Sequence, residues 1–180
     1  MKDGGDKNIV LIIHNVRSAH NVGALFRTAD GAGVVKIFLT GYTPCPYVSD
    51  NSVSGRRHRH ISPTKAEKEL AKTALGAERS MEWMHSVSLK KVITLLREEK
   101  YAVVGLEQGV GSKDYRKYVP GGSVALVVGN EVRGLDARIL KQCDAIIDIP
   151  MRGTKNSLNV AVATGIALYQ IASTIENISE

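Results

Sequence analysis

The 180-residue sequence has little of several features that define common protein classes. It has only two cysteines, Cys45 and Cys143, which excludes a disulfide scaffold and a cysteine-based zinc site and favours a reducing compartment. No apolar run reaches the roughly 18 residues of a membrane-spanning helix. The charged N-terminus is not followed by the apolar segment of a secretory signal. We therefore expect a cytoplasmic globular protein without membrane contact.

The usual signatures of nucleotide-binding and hydrolase sites are also missing. The glycine-rich segment 105–112 does not match G-x-G-x-x-G, and neither G-x-x-x-x-G-K-[ST] nor G-x-S-x-G occurs. The five histidines lack a metal-ligand spacing, so we expect no metal. Cys143 has no obvious base beside it in the sequence, and a small buried residue is the favoured interpretation over a nucleophile.

The chain carries a modest excess of positive charge. It has 24 Lys and Arg against 18 Asp and Glu, which gives a net charge of +6. The basic residues concentrate in one segment, which contains Arg56, Arg57, Arg59, Lys65 and Lys68 together with His58 and His60. Composition alone leaves two interpretations open, a solvated surface loop and a patch that contacts the phosphates of a nucleic acid.

Short apolar runs alternate with amphipathic segments along the chain. Strands are predicted at 8–14, 34–40, 101–107, 123–129 and 145–150. Helices are predicted at 21–32, 64–78, 89–100, 135–142 and from Ser157 onwards, with a long loop over 41–63. This alternation predicts an α/β fold, with a mostly parallel sheet and helices on both faces.

Polar or glycine-rich segments follow four of the predicted strands. They read HNVRSAHNVG, GLEQGVGS, GNEVRGLD and PMRGTKNSLN in chain order. Ligands of parallel α/β sheets gather at the carboxyl ends of the strands. Four polar strand ends therefore predict a binding site at that edge of the sheet.

Three of these segments carry ordered motifs. Asn15, Arg17, Asn21, Gly23 and Arg27 match N-x-R-x-x-x-N-x-G-x-x-x-R, the first motif. The second motif contains Gly129, Glu131 and Gly134, and the third contains Ile149, Pro150, Met151, Ser157, Leu158, Asn159 and Ala161. Over nearly its whole length the chain resembles the SpoU (TrmH-like) RNA ribose methyltransferases of the SPOUT superfamily.

The resemblance implies a fold, a reaction and partners. It implies a deep C-terminal trefoil knot. Knots are so rare in proteins that the residue pattern alone would argue against one. It implies a homodimer that transfers a methyl group from S-adenosyl-L-methionine to a ribose 2′-hydroxyl of tRNA or rRNA, without a metal. The chain is expected to be a single methyltransferase domain over residues 1–180, with no separate N-terminal RNA-binding domain.

The resemblance also assigns roles to residues. The catalytic set it implies is Arg27, Asn21, Asn15, Glu131, Ser157 and Asn159. Because a guanidinium normally stays protonated, Arg27 is expected first to clamp a phosphate and stabilise the alkoxide, and only second to accept a proton. Glu131 is expected to orient Arg27 or the rest of the first motif. Asn21 and Ser157 are also placed to cap helices.

Further residues follow from the same resemblance. The expected cofactor contacts are Leu106, Gly129, Ile149 and Leu158, with Glu107 a weaker candidate. The expected RNA contacts are Arg17, Arg56, Arg57, Arg59, Lys65 and Lys155. His20 receives no role. Two alternatives stay open, a catalytically silent RNA-binding dimer of the same fold and a SPOUT enzyme that methylates a base. The complete motifs disfavour both.

Overall fold

The computed structural model describes residues 7–48, 62–109 and 111–179, and its architecture confirms the expected α/β class. The strands are β1 Ile9–His14, β2 Lys36–Thr40, β3 Trp83–Ser86, β4 Ala102–Leu106, β5 Lys113–Asp114, β6 Val124–Val128 and β7 Ala145–Asp148. The helices are α1 Ala19–Gly31, α2 Lys65–Ala74, α3 Ala77–Ser80, α4 Leu89–Glu98, α5 Ala137–Leu140 and α6 Val160–Ser179. None of these helices is both long and apolar enough to cross a bilayer.

The strands form one parallel sheet with apolar side chains packed on both faces. Its order is β3-β2-β1-β6-β4-β7-β5, and each neighbouring pair runs in parallel. Leu11 and Ile13 of β1 belong to the core shared with α1 and α6, while Val10 and Ile12 point to the core shared with α4 and α5. Side chains of a strand alternate between faces, so a strand covered on both sides must be apolar throughout. This explains the continuous apolar runs of the central strands.

Late segments of the chain occupy the middle of the sheet. β6 lies between β1 and β4, with Ile9 paired to Val124, and β7 lies between β4 and β5. The carboxyl ends of β4, β6 and β7 therefore meet at one place. The trefoil knot that the resemblance implies stays a prediction.

Two short strands were not expected from the sequence. β3 has four residues and β5 has two, and both lie at the edges of the sheet. Edge strands bury little, so their sequences do not need the apolar runs that identify β1 and β6. The helix expected over 64–78 is instead two helices, because Leu75 and Gly76 both take positive φ values, 53° and 101°.

Two predicted helix starts are wrong. α1 begins at Ala19 instead of Asn21, because Ser18 Oγ accepts the backbone N–H of Asn21 and is the N-cap. α6 begins at Val160, and the side chain of Asn159 accepts the N–H of Ala161 at 2.9 Å, the bond expected of a cap. Neither Asn21 nor Ser157 therefore serves as a helix cap.

Gly23 permits the close approach of α1 and α2. A β-carbon at this position would collide with Thr73 Oγ1 and the carbonyl oxygen of Leu70, both on α2. We expect Gly23→Ala to lower the free energy of unfolding by about 1–3 kcal/mol, because the two helices must separate. Urea unfolding measures the change. Gly122→Ala, where a β-carbon meets open space, is the control. Equal unfolding midpoints for the two variants would contradict this account.

Candidate functional site

A cavity of about 240 Å³ opens where β4, β6 and β7 end. Its walls come from the segment after β4, the turn after β6, the segment after β7 and the beginning of α6. All five residues predicted as cofactor contacts line it, namely Leu106, Glu107, Gly129, Ile149 and Leu158. Parts of the sequence more than forty residues apart thus converge on one site, as expected for the carboxyl edge of a parallel sheet.

The turn after β6 is tight and depends on two glycines. A β-carbon on Gly129 would lie 2.6 Å from the carbonyl carbon and oxygen of Gly134, and Gly134 itself takes a φ of +62°. The backbone N–H of Gly134 donates to the carbonyl of Asn130 at 2.9 Å. Glu107 Oε2 accepts the N–H of Leu135 at 2.7 Å, so this carboxylate holds the turn in place.

Asn130 connects the cavity wall to the end of β1. Its Oδ1 accepts the backbone N–H groups of Val132 and Arg133, at 3.0 and 2.9 Å. Its Nδ2 donates to the carbonyl of Asn15 at 3.0 Å and to Tyr42 Oη at 3.2 Å. Asn130 was not among the predicted site residues, because the sequence shows only a polar residue directly after a predicted apolar strand.

Glu131 binds the loop that begins the first motif. Its carboxylate accepts the backbone N–H groups of Arg17 and Ser18, at 3.1 and 3.0 Å, and Asn21 Nδ2 at 3.1 Å. Desolvation raises the pKa of Glu131, but these hydrogen bonds outweigh it and hold the pKa below the usual value of 4.5. Glu131 was expected to orient either Arg27 or the rest of the first motif. It contacts the loop of the first motif and not Arg27.

Asn21 links all three motifs. It is buried, its Nδ2 donates to Glu131, and its Oδ1 accepts Asn159 Nδ2 at 3.1 Å. Asn159 also caps α6, so the start of that helix is fixed relative to α1. Ser157 lies two residues earlier, on the cavity wall, with an exposed side chain. The three motifs therefore form one hydrogen-bonded unit beside the cavity.

Arg27 lies on a different side of α1 from Asn21. With 3.6 residues per turn, two residues six apart cannot share one face of a helix. The exposed Arg27 lines a separate groove with His20, Lys72 and Tyr169. Arg27 and Asn21 therefore do not form one polar face of α1 within a single chain.

The predicted RNA contacts lie at several places on the surface. Arg17 lines a shallow depression with Ser18, Asn21 and Glu131. Lys65 is exposed at the start of α2 and forms a 3.9 Å ion pair with Glu69, and Lys155 is exposed before α6. Arg56, Arg57 and Arg59 lie outside the described residues.

Cys143, expected to be a small buried residue, is half-buried and packs against the core on the α4 and α5 side of the sheet. Its Sγ donates to the carbonyl of Ile139 at 3.5 Å. Burial, with Asp144 adding to it, raises the pKa of the thiol to about 11, which disfavours a nucleophilic thiolate. Within residues 7–48, 62–109 and 111–179, no cluster of three or more His, Cys, Asp or Glu could hold a metal ion.

Comparison with known proteins identifies similar chains. Residues 53–169 match the model of the SpoU rRNA Methylase family. The 23S rRNA (guanosine-2′-O-)-methyltransferase RlmB of Salmonella typhi is 33% identical over 165 residues, covering 92% of this chain and 60% of RlmB. An AdoMet-bound rRNA methyltransferase from Sinorhizobium meliloti superposes with a TM-score of 0.77 at 27% identity, over 93% of this chain and 56% of that one. The A. aeolicus TrmH/SpoU tRNA modifying enzyme shares the fold, with a TM-score of 0.75 at 24% identity over 96% and 78% of the two chains.

Proposed function

Since the chain belongs to the SpoU rRNA methylase family, we propose that it transfers a methyl group from S-adenosyl-L-methionine to a ribose 2′-hydroxyl of rRNA or tRNA. The chain spans about 60% of the length of the curated RlmB relative, so the activity is proposed on the site itself. The observation that carries the proposal is the bonded set Glu131, Asn21 and Asn159. It joins all three motifs beside the cavity, whose wall includes Glu131.

The cavity fits S-adenosyl-L-methionine by its chemistry. Leu106, Ile149 and Leu158 offer apolar walls for a purine ring, and Gly129 permits the tight turn that forms another wall of the cavity. The sulfonium centre of S-adenosyl-L-methionine supplies an activated methyl group when the cofactor is bound. Glu107 accepts the N–H of Leu135 and so holds the turn in place. Its role is to support the cavity wall more than to contact the cofactor.

The polar residues position the acceptor ribose. Asn21 and Asn159 fix each other, and Glu131 fixes the preceding loop, so little reorganisation is needed when RNA arrives. Ser157 presents a hydroxyl at the cavity wall for hydrogen bonding to the ribose. We assign Arg27 to the phosphate beside the reacting ribose and to the charge that develops on the 2′-oxygen.

RNA binding is proposed for the exposed cations near the site. Arg17 borders Glu131, Lys65 begins the helix packed on α1, and Lys155 lies in the segment that leads to α6. Arg56, Arg57 and Arg59 belong to the same proposal on sequence grounds. With an RNA substrate of this kind, we propose that the reaction takes place in the cytoplasm.

We assign the groove around Arg27 to the interface of a homodimer. Large apolar side chains are exposed on the surrounding surface, with Leu75 67%, Tyr169 55% and Val162 52% exposed. Leu75 and Tyr169 line the groove itself, and Val162 lies two turns before Tyr169 on α6. A second copy of the chain would cover these side chains and bring Arg27 towards the cavity of its partner.

One experiment tests the activity directly. The protein is incubated with methyl-labelled cofactor and unmodified tRNA or rRNA, and the nucleosides are identified by mass spectrometry after digestion. We expect a 2′-O-methylated nucleoside. Asn21→Ala, purified in the same way, is the control against a contaminating host enzyme. A base-methylated product, or no product with either RNA, would overturn the proposal.

A further inference from the structure

Hydrogen-bonded polar side chains of His14, Asn15 and Thr40 lie together at the end of β1. His14, the last residue of β1, is half-buried. Its Nδ1 lies 2.9 Å from Thr40 Oγ1 and its Nε2 lies 2.8 Å from Asn15 Nδ2. The three motifs assign no role to this histidine.

The partners of His14 determine which of its nitrogens carries the proton. Asn15 Oδ1 accepts the backbone N–H of Tyr42 at 3.2 Å, so the amide nitrogen of Asn15 is the atom that faces His14. An amide nitrogen only donates, and therefore His14 Nε2 must accept. The single ring proton then lies on Nδ1 and is donated to Thr40 Oγ1, whose own proton reaches the carbonyl of Ile13 at 3.4 Å. The bond from Asn15 Nδ2 to His14 Nε2 therefore requires a neutral imidazole.

A second proton on His14 has no acceptor in this arrangement. It would place an N–H on Nε2 directly against the N–H₂ group of Asn15. Rotating the Asn15 amide only moves the conflict, because Nδ2 would then face the N–H of Tyr42. We call the hydrogen-bonded set of His14, Asn15 and Thr40 the lock. The lock is therefore intact only while His14 is neutral.

The charged and titratable surroundings agree with a neutral ring. Burial lowers the pKa of His14 by more than the charge of Asp136, just before α5, raises it. The pKa of His14 therefore lies below 6.5. The other titratable groups nearby already have partners. His85 Nε2, on β3, lies 3.1 Å from the carbonyl oxygen of Gly41, and the Tyr42 hydroxyl accepts a hydrogen bond from Asn130 Nδ2.

The lock reaches the cavity in two steps. Asn15 takes a φ of +56°, a left-handed conformation that costs energy for a residue with a side chain. In that conformation its carbonyl accepts Asn130 Nδ2 at 3.0 Å. Asn130 in turn holds the N–H groups of Val132 and Arg133 in the cavity wall. The position of the wall thus depends on the conformation of Asn15.

We propose that His14 is a positioning residue, which in its neutral form locks Asn15 and the Asn130 turn, and whose protonation releases the cavity wall and weakens cofactor binding in mildly acidic solution. The consequence for methyl transfer rests on the proposed function. The lock itself does not, because it can be observed without cofactor or RNA.

Nuclear magnetic resonance of ¹⁵N-histidine-labelled protein tests the lock. We expect the Nδ1–H tautomer for His14 and a pKa below 6.5. His14→Gln assigns the signals by their loss. In Asn15→Gly, where glycine suits the positive φ, the pKa of His14 should rise because the opposing donor is gone. An Nε2–H tautomer, or an unchanged pKa in Asn15→Gly, would overturn the proposal.

Calorimetry with S-adenosyl-L-homocysteine tests the connection to the cavity. As the pH falls from about 7.5 to below the pKa of His14, affinity of the unaltered chain should fall about fivefold or more, the lower end of typical coupling between two sites. His14→Gln keeps an acceptor for Asn15 Nδ2 without a titrating ring, and its affinity should be nearly independent of pH. His85→Gln, a histidine replacement on the neighbouring strand, should keep the original pH dependence.

The outcomes separate this proposal from the function. The same pH dependence in His14→Gln as in the unaltered chain would refute the positioning role. If S-adenosyl-L-homocysteine binds with the expected pH dependence but no RNA is methylated, the proposed function is refuted and the positioning role of His14 is not. A merely structural histidine would lower affinity equally at both pH values on replacement, which would also overturn the proposal.

Discussion

Replacement of Arg27 by alanine is expected to reduce the rate of methyl transfer by about 10²- to 10³-fold, the typical cost of removing one group that stabilises developing charge. Arg27 lies outside the cavity of its own chain, so cofactor binding should not change. The measurement is a single-turnover rate at saturating cofactor and RNA, together with the Kd for S-adenosyl-L-homocysteine. Arg138→Ala, an exposed arginine on α5, is the control. Full activity in Arg27→Ala would refute the assignment.

Mixed dimers show which cavity Arg27 serves. Neither Arg27→Ala nor Asn159→Ala is expected to be active alone. If Arg27 acts across the proposed interface, mixing the two restores activity, because one cavity of each mixed dimer pairs an intact Asn159 with a partner's intact Arg27. No recovery in dimers verified to have exchanged subunits would contradict the interface proposed for the groove.

Glu131→Gln is expected to lower the transfer rate by about 10²-fold, the cost of small misplacement at a reacting centre. The two carboxylate oxygens share three donors, from Arg17, Ser18 and Asn21. Glutamine has the same shape, but its N–H₂ group must face at least one of these donors. We also expect the free energy of unfolding to fall by about 1–3 kcal/mol, the cost of leaving a partly buried donor unpaired.

The pH dependence of unfolding provides a second readout for Glu131. Because the folded-state pKa lies below 4.5, the unfolded chain binds this proton more tightly. The contribution of Glu131 to stability is therefore present above pH 4.5 and is lost as the pH falls below it through the folded-state pKa. Urea unfolding should show this loss in the unaltered chain and less of it in Glu131→Gln. Glu98→Gln, exposed on α4, should behave like the unaltered chain, and identical curves for all three would contradict the argument.

The central part of the fold was predictable from the sequence for a physical reason. β1 and β6 are buried on both faces, and only a continuous apolar run satisfies that environment. Gly129, Ile149 and Leu158 were identified by motif, and Leu106 and Glu107 by the family resemblance alone. The topology explains why the five converge on one cavity. The strand order was not predictable, because nothing local in Val124–Val128 specifies that it pairs with β1 instead of following β5 outward.

The helix starts show why local signals fail at a site. Ser18 and Asn21 are both good caps, as are Ser157 and Asn159, so local sequence could not choose between them. The choice depends on tertiary contacts, because the Asn21 side chain is engaged by Glu131 and Asn159 and is unavailable as a cap.

The position of β6 in the middle of the sheet has a consequence for biosynthesis. While the ribosome is making the first 120 or so residues, β1 can pair with β2, but its other edge stays open until Val124–Val128 emerges. Pairing across so long a stretch of chain folds slowly, and an open apolar strand edge invites aggregation. The cavity needs still later segments, β7 and the start of α6. Nascent chains of this protein should therefore depend on chaperones until α6 has been made, and the site forms after the central strands have paired.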